Sequence, residues 1–227
     1  MIRLLIVDDE KEIADHVASD LRKLDEAYSF SFAGTSTEAL TFDRDSFDAV
    51  LLDIMLPDTN GIEICPRLRD RYHCPIIFMS CLDDSDTIVH AFENGGDDYV
   101  CKPFDSKILH ARILANLRRV KQTVYSKEKT EIPGKYMLNA DDYTVTFNGE
   151  TRQLLPIEFR ILSFLMEHPR QYYKARELYQ IVWGADSFGD NRTVIVHIHN
   201  IRKKLEDNMD NPQIIRNERG RGYSFFS

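Results

Sequence analysis

No apolar run in this chain of 227 residues approaches the ~18 that a membrane-spanning helix needs, and the opening MIRLLIVDDE reaches its acids too soon to serve as a secretion signal. Cysteine is scarce: Cys65, Cys74, Cys81 and Cys101 all fall in the first half, without CxxC or cysteine-histidine spacing. A disulfide scaffold and a zinc ribbon are thereby excluded, and reduced thiols in a cytoplasmic protein are expected. Cys81 and Cys101 are read as buried small hydrophobes rather than redox sensors. Internal repeats and low-complexity tracts are absent too. Disorder cannot dominate, because 43% of the residues are hydrophobic.

What is present divides into two. The length exceeds the usual single domain of roughly 100 to 150 residues, which favours two compact domains. Residues 1–121 hold 14 Lys and Arg against 23 Asp and Glu, whereas 122–227 hold 15 against 14. An overall charge of −8 therefore conceals a nearly neutral second half in which a basic surface can meet phosphates.

Apolar runs at Leu4 to Val7, Ala49 to Leu52 and Pro75 to Met79 alternate with segments of helical length. Continuous apolar runs suit strands buried on both faces. Between them Ile13, Val17, Leu21 and Leu24 recur at helical spacing, as do Ile108, Ile113, Leu114 and Leu117 less regularly. The expected fold class is α/β, a doubly wound parallel five-stranded sheet over 1–121, followed by a smaller domain over 132–227. A polar linker is placed at 122–131, ahead of the breaker Pro133-Gly134. Beyond it the pattern predicts short strands near 136–138, 143–147 and 152–154. Helices follow near 156–167, 174–182 and 192–206, then a hairpin over 214–226 that turns at Gly220 and Gly222.

Chemistry is carried where polar residues end the apolar runs. Asp8 and Asp9 follow LLIV, Asp53 follows AVLL, Ser80 follows IIFM and Lys102 follows DYVC. In a parallel sheet all of these lie at one edge, the carboxyl ends of the strands, where such sheets bind ligands. Packed carboxylates invite a hard cation, and Mg2+ prefers one or two carboxylates with waters and phosphate oxygens. With an ammonium beside them, the group is suited to phosphoryl transfer onto Asp53 as carboxylate nucleophile. A single acid at a strand end is ordinarily a turn or capping residue, so the reading rests on the whole set.

The motifs LLIVDDE, LLDIMLPDTNG, MS and YVCKPF, in this order, resemble the receiver domain of bacterial response regulators over essentially all of 1–121. The resemblance implies Asp8, Asp9 and Asp53 at a Mg2+ site, Asp53 as phospho-acceptor and Lys102 on the phosphoryl group. It also implies Ser80 as switch hydroxyl, Tyr99 as an aromatic that reorients with it, and a Lys102-Pro103 bond that is often cis.

In the second half, RTVIVHIHNIRKKLE places Val194, Ile198, Ile201 and Leu205 on one helix face. With LLPIEFRILSFLMEHP, Trp183-Gly184 and RNERGRGYSFF it resembles the winged-helix effector of the OmpR/PhoB family over about 132–227. That implies DNA contacts at Arg192, Thr193, Val196, His197, Asn200, Arg202 and Lys203 on a recognition helix, and at Arg219 and Tyr223 on the wing. Asn200 stands where many members have Arg, and asparagine suits adenine, so an A/T-rich half-site is expected at that base pair. His197 and His199 do not share a helix face, which argues against a metal pair.

The resemblance further implies a receiver dimer on phosphorylation, through a face holding Ile88, Asp97, Asp98, Ile108, Arg112 and Arg119. Ile88 and Ile108 occupy positions where a Lys and a Glu are usual, so an apolar contact is expected to replace one salt bridge. Implied partners are a sensor histidine kinase, double-stranded DNA, RNA polymerase and a second copy of the chain, with no membrane partner. Two other functional classes fit the sequence less well. A metal-dependent phosphatase with an aspartate nucleophile needs a second acid two residues on, where Met55 stands. A binding module without phosphorylation leaves the acidic set unexplained. Turnover of external substrates is therefore not expected, only self-phosphorylation and its reversal.

Overall fold

A computed structural model of the chain describes residues 1–125, 131–132, 136–184 and 191–226, with side chains from 118 to 135 left outside the description. It divides into two compact units, Met1–Leu117 and Arg118–Ser227. Among the described residues no helix is long and apolar enough to cross a membrane.

The first unit is built on five parallel strands: β1 (Ile2–Val7), β2 (Tyr28–Ala33), β3 (Ala49–Asp53), β4 (Ile76–Ser80) and β5 (Asp98–Cys101), in the order β2-β1-β3-β4-β5. Leu4 to Val7, Ala49 to Leu52 and Ile76 to Met79 are all at most 1% exposed, as strands covered on both faces must be. The sequence reading named no strand at β2. Its alternation YSFSFA is that of an edge strand, where Phe30 and Phe32 are only half-buried and lie beneath the cations of Arg22 and Lys11.

The helices are α1 (Lys11–Leu24), α2 (Ser36–Ala39), α3 (Gly61–Tyr72), α4 (Ser85–Glu93) and α5 (Ser106–Tyr125). On α1 the buried stripe is Ala14, Val17, Ala18 and Leu21, rotated slightly from the expected one, so that Leu24 is 38% exposed. This stripe packs with Leu109 and Ile113 of α5 onto Leu4, Ile6, Leu51, Ile77 and Met79. Helix α5 runs on to Tyr125, four residues past the domain end expected at 121, because polarity alone does not end a helix and no breaker intervenes. Of the linker placed at 122–131, residues 126–130 lie outside the described residues.

The second unit begins with an antiparallel sheet of β6 (Glu131–Ile132), β7 (Tyr136–Asn139), β8 (Thr144–Phe147) and β9 (Glu150–Gln153). Three helices follow, α6 (Pro156–Glu167), α7 (Ala175–Trp183) and α8 (Asn191–Leu205), then a hairpin of β10 (Ile215–Glu218) and β11 (Gly222–Phe225). Pro156 opens α6, and Glu158 accepts a hydrogen bond from the Leu155 N–H at 2.8 Å, which closes the first turn. In the core, Trp183 stacks on Tyr179 at 4.6 Å, and Val194, Ile198, Ile201 and Leu205 of α8 are at most 1% exposed. Gly222, at φ +107°, lies against Tyr173, whose carbonyl oxygen would be 2.1 Å from an added Cβ. Backbone bonds between Tyr173 and Tyr223 at 2.8 and 2.9 Å hold the hairpin there.

Candidate functional site

The parallel register makes the first site. Asp8 follows β1, Asp53 ends β3, Ser80 ends β4 and Lys102 follows β5, so adjacent strands deliver them to one sheet edge. Lys102 Nζ donates to Asp8 Oδ2 at 2.7 Å and to Asp53 Oδ2 at 2.6 Å. The remaining oxygens accept backbone bonds, Asp8 Oδ1 from Glu10 at 3.0 Å and Asp53 Oδ1 from Met55 at 3.1 Å. Both carboxylates are buried, and one ammonium serves the two, so a buried negative charge is left over. Burial raises the Asp8 carboxyl above its ordinary range despite the opposing pull of Lys102. For Lys102 burial works downward, but hydrogen bonds and charge from Asp53 and Asp8 outweigh it and hold the ammonium above the usual lysine value.

Ser80 and Tyr99 meet this group through the turn after β4. Ser80 Oγ accepts from Leu82 N at 3.3 Å, and the Tyr99 hydroxyl donates to the Leu82 carbonyl at 2.5 Å. The Tyr99 ring is turned inward among Phe78 and Phe92, and burial pushes its phenol up to about 12, so it remains a donor. The Lys102-Pro103 bond is cis. Asp9, by contrast, is exposed on the rim. Cys81 is exposed and Cys101 half-buried, a correction to the reading of both as buried, since Cys81 lies just past the end of β4 and Cys101 is the last residue of β5.

The sequence reading missed the support beneath Asp53. Gly61, at the start of α3, is so close that an added Cβ would lie 1.9 Å from the Asp53 carbonyl oxygen. Asp58 ties the same loop to α2, accepting from the N–H groups of Ser36 and Thr37 at 3.0 and 3.1 Å and from both hydroxyls. Asn-Gly just before an apolar helical stretch was the available signal.

Several of the residues expected on a dimer face have partners within a single copy. Ile88 is buried on the side of α4 shared with Ala91 and Phe92, because these residues are three and four positions apart. Asp97 is paired within the chain to Arg69 and accepts from the Ile76 N–H at 2.9 Å. Asp98 accepts from Arg112 at 2.5 Å and Asn116 at 3.4 Å. Those acids and Arg112 are therefore committed inside one copy. Ile108 remains half-buried, and the side chain of Arg119 lies outside the described residues.

The second candidate site is α8 with the hairpin. Thr193, Val196, His197 and Asn200, expected to reach DNA, are 2%, 5%, 0% and 7% exposed, so the chain itself covers all four in this structure. His197 lies with its ring 6.1 Å from that of Trp183. Arg202 donates twice to the Ile215 carbonyl, at 2.9 and 2.7 Å, and its guanidinium lies 5.7 Å from the Tyr223 ring. It and the buried Tyr223 therefore join the helix to the hairpin rather than facing outward. Arg192, half-exposed, and Lys203, exposed, share the open face of α8 with Ile195 and His199, which the sequence reading passed over. Spacing by three and four from Arg192 recovers that face. Arg219 is exposed in the hairpin turn.

Comparison with known proteins accords with both units. Residues 4–114 match the family described as "Response regulator receiver domain", and residues 149–225 match "Transcriptional regulatory protein, C terminal". The uncharacterized transcriptional regulatory protein YrkP of Bacillus subtilis (strain 168) is 36% identical over 98% of this chain and 97% of its own length. The response regulator DrrB, a Thermotoga maritima OmpR/PhoB homologue, is 32% identical with full coverage of both chains and a TM-score of 0.52. A two-component response regulator from Clostridium difficile is 30% identical over 53% of this chain and 98% of its own, at a TM-score of 0.50.

Proposed function

We propose, from the premise that this chain belongs to the OmpR/PhoB family of two-component response regulators, that phosphorylation of Asp53 by a sensor histidine kinase controls its binding to DNA. The observation that carries the reading is the Lys102 ammonium bridging Asp8 and Asp53 at 2.7 and 2.6 Å. A carboxylate so placed is held for attack, and the ammonium offsets the charge that arrives with a phosphoryl group. An Asp53 oxygen forms the new bond to phosphorus as the bond to the kinase imidazole breaks.

Mg2+ is the implied cofactor. No three candidate ligands are grouped as a finished metal cage among the described residues. The donor set nonetheless suits Mg2+, which is content with one or two carboxylates completed by waters and phosphate oxygens. Asp8 and Asp53 would hold it, with Asp9 on the rim, and when bound it would supply further neutralisation of phosphoryl charge. Met55, two residues past the acceptor and 63% exposed, carries no proton to donate. The chemistry thus stops at self-phosphorylation and its slow reversal, without turnover of external esters.

Phosphorylation shifts an existing equilibrium. The Ser80 hydroxyl turns to the new phosphoryl oxygens, the hold of Leu82 on Ser80 and Tyr99 is released, and the receiver pairs with a second copy. The paired effector units bind double-stranded DNA through the open face of α8 and the hairpin turn, and act on transcription with RNA polymerase in the cytoplasm. The test is incubation of the full chain with a small phosphodonor and Mg2+, read by intact mass, sedimentation and selection of bound duplexes. A single phosphoryl group, absent from Asp53→Asn, with dimer formation and enriched paired half-sites is expected. Equal labelling of Asp53→Asn, or a monomer with unchanged DNA retention, would overturn the proposal.

A further inference from the structure

Helix α8 hides four of its aliphatic side chains almost completely, yet leaves Ile195 47% exposed in the middle of its open face. An exposed isoleucine alone needs no explanation. This one lies in line with Arg192, three residues before it, and with His199 and Lys203, four and eight residues after it. At 1.5 Å per residue, the two cationic positions are separated by about 16 Å along the axis, with Ile195 between them. The partner that such a face fits has negative charge at both ends and an apolar group in its floor.

Duplex DNA answers that description in its major groove, about 12 Å wide and bordered by phosphates. Base edges there present hydrogen-bonding groups, with one apolar exception, the C5-methyl of thymine. We propose that Ile195 packs against a thymine methyl and selects that base at one position of each half-site, while the basic side chains on either side engage the phosphates. This rests on the DNA-binding reading given above and replaces the expected adenine contact of Asn200, which is 7% exposed. A stiff β-branched side chain suits the task, since little rotamer freedom is lost on contact.

The test uses the phosphorylated full chain. Duplexes are first selected from a random library, and deoxyuridine, which differs from thymidine by the methyl alone, is then substituted for one thymine at a time. The expected result is a loss of about fourfold in affinity at one thymine per half-site, the value of one buried methyl-sized group. Ile195→Ala, at a surface position favourable to helix, should keep the fold by circular dichroism and bind the thymine and uracil duplexes equally at that base. Sensitivity of the original chain at no thymine, or an unchanged sensitivity in Ile195→Ala, would overturn the assignment while leaving DNA binding intact. Failure of the original chain to retain any duplex would overturn the DNA-binding reading itself.

Discussion

Lys102→Met removes a cation from between two buried carboxylates while keeping most of the side-chain stem. The ammonium lies 2.7 and 2.6 Å from Asp8 and Asp53, and the three side chains are 0% to 9% exposed. At an effective dielectric of 20 each contact represents about 6 kcal/mol of gross attraction, largely cancelled by desolvation. What remains on deletion is the cost of stranding buried charge, about 3 to 5 kcal/mol. For a unit of 117 residues, with an unfolding entropy of about 0.25 kcal/mol/K, that lowers the melting temperature by roughly 12 to 20 °C. The assay is thermal unfolding of the full chain without Mg2+, for Lys102→Met, Asp53→Asn and the double variant. Asp53→Asn removes the surplus charge, so the lysine deletion should cost at least about 1 kcal/mol less in its background. The deficit should also shrink as pH is lowered toward the ordinary carboxylate range. Burial raises the Asp8 carboxyl and Lys102 opposes it, so deleting the ammonium raises it further in the variant than in the original chain, and lower pH favours the variant's fold by more. A cost below about 1 kcal/mol, or strict additivity with Asp53→Asn, would refute the reasoning.

Two further outcomes follow from the loop under the acceptor. Gly61→Ala forces a methyl to 1.9 Å from the Asp53 carbonyl oxygen and 2.9 Å from Ile54 Cα, both backbone atoms that cannot step aside. A loss of at least about 3 kcal/mol in urea unfolding and slower phosphorylation of Asp53 are expected, and wild-type values for both would contradict the close approach. Hydrogen bonds from the Ser36 N–H, and then from its hydroxyl and from Thr37, draw the Asp58 carboxyl down to about 2. Because its pKa is depressed, its stabilisation is present above the ordinary carboxylate range and fades as pH falls from about 4 to about 2. Asp58→Asn should flatten the urea midpoint over that window, and an unchanged slope would assign the acid sensitivity elsewhere.

The alternation of apolar runs and polar terminators was sufficient to place Asp8, Asp53, Ser80 and Lys102 at one sheet edge, since burial on both faces is written into a strand as continuous apolar sequence. Edge strand β2 lacked that mark, because a half-buried strand needs only alternation, and YSFSFA is too short to distinguish it from a loop. Local spacing could not show that Asp97 answers Arg69, or Asp98 answers Arg112, 28 and 14 residues away. Nor could it show that Gly61 lies against Asp53. On α8 the periodicity identified the core face of Val194, Ile198, Ile201 and Leu205, but not how much more of the helix would be covered.

By itself, then, the sequence determined the two units, the strands written as continuous apolar runs and the acids that gather around Lys102. Those follow from periodicity and from the ends of apolar runs, which are local properties of the chain. Tertiary structure alone decided that one ammonium serves both Asp8 and Asp53, that Asn200 and Ile88 are buried, and that Ile195 faces outward. Such outcomes depend on what packs against each side chain from distant parts of the sequence, and no local pattern encodes them.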